Sequence, residues 1–261
     1  MRMSFISNVA GITKMQYLTT AITGALLFLG FDWHWWLLSV GVYYLTGCLG
    51  VTITFHRYLT HRSFKMPKAL EYLFSFFGSM GATGSPIGWI AVHNAHHKYS
   101  DKKGDPHSPH VLGLKMLLSK YEYDFKLRDA KSLLGSKFHV FLHEYYYLIM
   151  LIWAVTLAAV DIKLFLFAFI VPAFLQIWAS NISNYANHKV GYKNYPTTDG
   201  STNTWWVSAI TWGEGWHNNH HAEPWTYTFQ RKWWEFDISA YTIYIICTLC
   251  GTKESLYNSK Y

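Results

Sequence analysis

Four stretches of this chain contain no Asp, Glu, Lys, Arg or His: Tyr17 to Phe31, Trp35 to Phe55, Tyr145 to Val160 and Leu164 to Ser180. They are 15, 21, 16 and 17 residues long, at or near the ~17–25 that an apolar helix needs to cross a bilayer. Only Asp32, Trp33 and His34 separate the first two, and only Asp161, Ile162 and Lys163 the last two. Turns this short make each pair a helical hairpin with no domain between its arms. A cleavable secretory leader fits the first stretch poorly, because the second follows at once and no small-residue cleavage pattern intervenes. The first stretch is therefore expected to be retained.

Composition supports a membrane protein with a polar remainder. Charged residues make up 14% of the chain, against roughly 25% in soluble proteins, while a mean hydropathy of only +0.06 says that the apolar residues are gathered in blocks. Of the 22 Lys and Arg, all but Lys163 lie outside the two short turns, which by the positive-inside rule puts the termini and the long polar stretches in the cytosol. The expected fold is all-α and integral to the membrane: four transmembrane helices in two hairpins, spanning about 15–31, 35–55, 145–160 and 164–182. A cytosolic helical cap, 56–144 and 183–261, completes a single domain over 1–261. Ala69 to Ala82 and Ile238 to Cys250 are too short to span and read as interfacial or re-entrant helices. Cys247 and Cys250 form a C-x-x-C within an apolar run and, like Cys48, read as packing residues. No feature points to nucleic acid.

The polar remainder is rich in histidine. His56 and His61 form H-x4-H just after the second span, and His93-Asn-Ala-His96-His97 and His217-Asn-Asn-His220-His221 are two copies of H-x2-H-H. Offsets of three and four lie within about 60° of one helix face, so each triplet aims its imidazoles at one point. The H-x4-H offset is about 140° off on an α-helix and works only if His61 lies at or past a helix end. Three clusters on one side of the membrane, two sharing a spacing and none with a cysteine, point to metal. Eight imidazoles exceed the four ligands of a structural zinc site, so at least two ions are expected; zinc fills such a set without exchanging electrons, whereas iron in an all-nitrogen set with open positions suits O2 activation. His34, His107, His110, His139 and His143 fall outside the repeated spacings and read as supporting or surface residues.

The segments HRYLTHRSF (56–64), HNAHHKYSDKKGDPHSP (93–109) and WGEGWHNNHHAEP (212–224) resemble those of the membrane fatty acid desaturases, specifically the acyl Δ9 type of the bacterial and cyanobacterial acyl-lipid branch. The resemblance covers roughly residues 20–240. It implies a ninth histidine, His188, in the N-x3-H pattern begun by Asn184, and hence a di-iron centre ligated by His56, His61, His93, His96, His97, His188, His217, His220 and His221, with Asn184 acting through water. It also implies that Trp89 and Ser180 shape the bend of an acyl tunnel, where Thr83 stands in place of the family's usual Gln. Tyr44, Cys48 and Thr52 recur every four residues along the span ending at His56, so they share a helix face. Tyr44 is thus expected to close the far end of the tunnel, with Cys48 beside it.

The reaction so implied is O2-dependent removal of two hydrogens from a saturated acyl chain carried on a glycerolipid, coenzyme A or acyl carrier protein, with two irons as cofactor and zinc as an inactive replacement. No haem, flavin or iron-sulfur motif is present to supply electrons, so a separate donor such as ferredoxin or a cytochrome b5-like protein is expected. Lys98, Lys102, Lys103, Lys126, Arg128, Lys131 and Lys137 can steer an acidic donor or meet anionic lipid headgroups. The alternatives are a related membrane di-iron hydroxylase or decarboxylase acting on lipids or alkanes, and a metal transporter. The transporter is disfavoured because the four spans hold no ionisable group.

Overall fold

The structure, a computed structural model, describes residues 6–118 and 126–257; Arg2, Lys120 and Lys260, used above to orient the chain, lie outside them. Among the described residues all regular elements are helical, apart from isolated bridges joining Asn203 to Tyr192 and Trp216. In chain order they are α1 (Ile6–Phe28), α2 (Trp33–Thr60), α3 (Lys68–Met80), α4 (Pro86–Tyr99), α5 (Lys137–Glu144), α6 (Tyr146–Val160), α7 (Ile162–Ala186), α8 (Trp205–Ile210), α9 (His217–Ala222) and α10 (Ile238–Leu249), with shorter turns between them.

By length and composition α2 and α7 can cross a membrane, and α5 with α6, bent by 70° at their junction, makes a third if the pair is one span. The first predicted span falls largely within α1. That helix is anchored by polar contacts: Gln16 Nε2 donates to Leu117 O at 2.8 Å, and Trp178 Nε1 of α7 donates to Thr20 Oγ1 at 2.8 Å. The two short apolar segments form α3 and α10. Leu27 and Phe28 of α1, Leu37 and Val40 of α2, and Leu151, Ile152 and Val155 of α6 are exposed, an apolar outer surface of the kind that needs a non-aqueous surrounding.

The pivot of the fold is α2. It winds as an α-helix over Trp33–Tyr43 and then as a wider π-helix over Tyr44–Thr60, a form in which each N–H reaches five residues back. The side chains of Thr54 and Thr60 follow the same spacing, donating to Leu49 O and Phe55 O. Val51, Phe55 and Leu59 pack on Ile87, Ile90 and Ala91 of α4, whereas Cys48 and Ile53 pack on Phe74 of α3 and on Ile243 and Cys247 of α10. Ser39 Oγ donates to Phe167 O at 2.6 Å and ties α2 to α7. Where α2 crosses α3 the backbones nearly touch, because Gly50 faces Gly78. A Cβ at Gly50 falls 2.2 Å from the Gly78 nitrogen.

That crossing leaves no flexible atom to yield. Gly50→Ala is expected to destabilise the protein by about 1–3 kcal/mol or more, as overpacking of a closed core does, read as a lowered midpoint of thermal unfolding in detergent. Gly41→Ala, in the same helix but with nothing within 4 Å of the added carbon, serves as the control and is expected to leave the midpoint in place or raise it.

Candidate metal centre

Each histidine segment is presented by its own element. His56 lies in the last turn of α2 and His61 caps its end, its N–H bonded to His56 O at 3.1 Å. The wide winding thus resolves the angular problem of H-x4-H: an offset of five is close to one full turn of a π-helix, and the two rings stand 5.0 Å apart. His93, His96 and His97 lie along α4, which starts where Ser85 caps Gly88 N and Pro86 takes the first turn, a position where its missing N–H costs nothing. His188 follows the end of α7, and His217, His220 and His221 occupy the single short helix α9.

These nine imidazoles converge in two groups. His56, His61, His93, His97 and His220 form one, and His96, His188, His217 and His221 the other, with the ligand atoms of each group within 4.8 Å of one another. The converging atoms are all Nε2. His56 to His220, His61 to His93, His93 to His97 and His97 to His220 are separated by 2.9–3.0 Å, and His188 to His217, His217 to His221 and His96 to His221 by 3.1, 3.0 and 3.3 Å. Two nitrogens each ~2.1 Å from one ion, at ~90–109° to each other, stand ~3.0–3.4 Å apart. The donor set therefore fits an ion in each group.

Protonation points the same way. His96 Nδ1 meets Asp105 at 3.0 Å, His188 Nδ1 meets Asp101 at 2.8 Å, His221 Nδ1 meets Asp199 at 2.8 Å and His56 Nδ1 meets Glu214 at 2.6 Å. A carboxylate at Nδ1 holds the proton there and leaves Nε2 as a bare lone pair. His96 and His221 thus face each other lone pair to lone pair, which only a cation between them makes favourable. Burial, reinforced by repulsion among the rings, holds His93, His96, His97, His217 and His220 well below the ordinary histidine range and lowers His61 to about 3. Neutral imidazole is the ligating form.

The sequence reading does not reach the carboxylates, although Asp101, Asp105 and Glu214 stand in the same segments as the histidines. Two asparagines were missed as well. Asn218 Oδ1 accepts from the N–H groups of Asn194 and Tyr195, and Asn219 Nδ2 donates to Phe229 O and Glu235, so the N-N between the histidines of α9 pegs that short helix to the loops around it. Arg57, wholly buried, binds Asp237 at 2.8 Å and Glu214 at 3.2 Å beneath the Phe229 ring and so braces the partner of His56. The five histidines outside the repeats stay outside both groups. His107 stacks on His96 at 4.3 Å and joins Asp105 beside it, His110 donates to His188 O, His139 and His143 bond Ser75 and Ser85, and His34 pairs with Asp32.

A cavity opens on the centre. His56, His93 and His217 form one side of it; Val51, Thr52, Thr83, Trp89, Ile177, Ser180 and Asn184 line its course, and Tyr43 stands further back along α2. Trp89 stacks on His93 at 4.8 Å. Tyr44 and Cys48, expected to close the far end, are not among its lining residues. Tyr44 hydroxyl bonds Thr242 at 2.9 Å on the α10 side, and Cys48 is buried against Ser239. The π winding is the reason: with more residues per turn than 3.6, steps of four from His56 drift off the cavity face, whereas Val51, Thr52 and Tyr43 keep to it.

Residues 33–238 match the family model described as fatty acid desaturase. The chain is 37% identical over 231 residues to an acyl-CoA 5-desaturase of Anemone leveillei, covering 83% of this chain and 70% of that one. It is 37% identical to a chloroplastic palmitoyl-monogalactosyldiacylglycerol delta-7 desaturase of Arabidopsis thaliana over 82% of this chain and 60% of that one. It is 33% identical to an sn-1 stearoyl-lipid 9-desaturase of Anabaena variabilis over 95% of both.

Stripped of metal, the site should make the fold acid-sensitive. Histidines whose folded pKa lies below 6.5 leave the unfolded chain holding more protons than the fold as pH drops. Their contribution is complete above about 6.5, the ordinary histidine value, and is lost progressively as pH falls below it. Unfolding midpoints of the metal-free protein in detergent should fall steeply between about pH 7 and pH 5; a flat profile contradicts the burial described.

Proposed function

The chain belongs to the fatty acid desaturase family, and we propose that it is an O2-dependent acyl desaturase that introduces a cis double bond, at Δ9, into a saturated chain carried on a glycerolipid or coenzyme A. The observation that carries this reading is the union of nine converging imidazoles with a cavity lined by Val51, Thr52, Trp89, Ile177 and Ser180. The nine histidines are proposed as ligands of two irons, with Asn184 beside them acting through water. The chain is further proposed to span the membrane four times, with the centre and both termini in the cytosol.

A methylene has no acidic proton and no leaving group, so side-chain acids and bases find nothing to act on. Two bound irons would supply the O2 activation and electron exchange that removing two hydrogens demands. The chain's own residues position and shield. Trp89 and Thr52 flank the cavity next to His93 and His56 and restrict which methylenes come close, which is the advantage of a held near-attack geometry. Val51, Ile177 and Ala179 keep the passage apolar. Electrons come in this proposal from a separate ferredoxin-like or cytochrome b5-like donor, met by the exposed Lys98, Lys102, Lys103, Lys126, Arg128, Lys131 and Lys137.

Expression in a host without desaturases, followed by mass spectrometry of double-bond position and of the lipid class carrying it, tests the reading. A new Δ9 bond is expected; a hydroxylated or shortened chain instead assigns the hydroxylase or decarboxylase alternative. His188→Ala should abolish the product while the protein still accumulates in the membrane. Tyr43, the lining residue of α2 farthest from His56, is proposed to limit chain length: Tyr43→Ala should shift the product toward longer acyl chains and Tyr44→Ala should not, and the reverse pattern overturns that role.

A further inference from the structure

The two histidine groups differ in what stands behind their rings. Three of the four imidazoles of the four-histidine group are backed by a carboxylate: His96 by Asp105, His188 by Asp101 and His221 by Asp199. Of the five in the other group only His56 has one, Glu214, which is shared with Arg57. Among the described residues no carboxylate pairs with His61, His93, His97 or His220, while one ring of each group, His217 and His220, has a buried Nδ1 without a partner.

The three aspartates are themselves held in place. Asp101 accepts from Ser108 Oγ and Gly200 N at 2.7 Å each, Asp105 from Asp101 N at 2.8 Å and His107 N at 3.1 Å, and Asp199 from Ser201 N at 3.0 Å. Asp101 N bonds Asp105 while its own carboxylate receives Gly200, so the loop after α4 and the loop before α8 are joined through these acids. A carboxylate behind a ligating imidazole fixes its orientation and raises its basicity, and removing one typically costs about 10- to 100-fold in metal affinity.

Resting on the metal reading above, we propose that Asp101, Asp105 and Asp199 are positioning residues for one metal position alone, and that the centre consists of two independently tunable halves. A divalent ion in the four-histidine half meets three negative charges. In the five-histidine half the single carboxylate behind a ring is Glu214, which shares Arg57 with Asp237.

The test uses the full chain, purified in detergent, stripped with a chelator and titrated with zinc, with bound equivalents read by elemental analysis. Two equivalents in the wild type are required by the metal reading; fewer sinks that reading itself. Asp101→Asn and Asp199→Asn are each expected to weaken one equivalent about 10- to 100-fold and to leave the other at wild-type affinity. In the Asp101→Asn background His217→Ala should weaken that same equivalent further and leave the other in place, whereas His61→Ala should weaken the other one. Asp101→Glu, which keeps the charge, should restore part of the loss. Weakening of both equivalents together, or of neither, overturns the proposal.

Discussion

Nine imidazoles whose Nε2 atoms converge in two groups are the constraint on which the rest of the molecule depends. Left alone, such an arrangement is repulsive and poorly solvated, so the fold must hold it from outside. Carboxylates at Nδ1 do this directly for His56, His96, His188 and His221. Behind them stand Arg57 with Asp237, the Ser108 and Gly200 donors to Asp101, and the asparagine pegs of α9. The polar half of the protein is largely this scaffold. Its short helices and long loops are ordered by side-chain hydrogen bonds to backbone more than by apolar packing.

The apolar half reaches the centre through α2. One helix carries the Gly50 crossing, the cavity wall of Val51 and Thr52, the ligand candidate His56 and the buried Arg57, and His61 caps its end. Its wide winding brings His61 back over His56 and turns Tyr43, rather than Tyr44, toward the cavity. A single departure from α geometry thus sets both the metal group and the reach of the passage leading to it, in keeping with the tendency of π segments to occur at functional sites.

Much of the site was legible before any coordinates. The H-x2-H-H repeats place their rings by simple helical offsets, and both repeats contribute to the two groups. His188 could be reached only by resemblance, because a lone histidine past a helix end has no spacing of its own. The carboxylates behind the rings were not legible, since each comes from a loop whose path depends on tertiary contacts such as the one between Gly200 N and Asp101. Of the fold, the all-helical class and the apolar helices α2 and α7 followed from charge-free length. The bend between α5 and α6 did not, because no proline or glycine marks it.

By itself the sequence determined which residues are apolar enough to leave water and which histidines are near neighbours along the chain, because burial and helical offset are properties of local composition and periodicity. Tertiary structure decided how those histidines divide into five and four, with the second and third segments each split between the groups. It also decided which of Tyr43 and Tyr44 faces the cavity. Those outcomes depend on helix winding and on the angles at which α2, α4, α7 and α9 meet. Such angles are set by contacts like Gly50 on Gly78, between residues far apart in the chain, which no local pattern encodes.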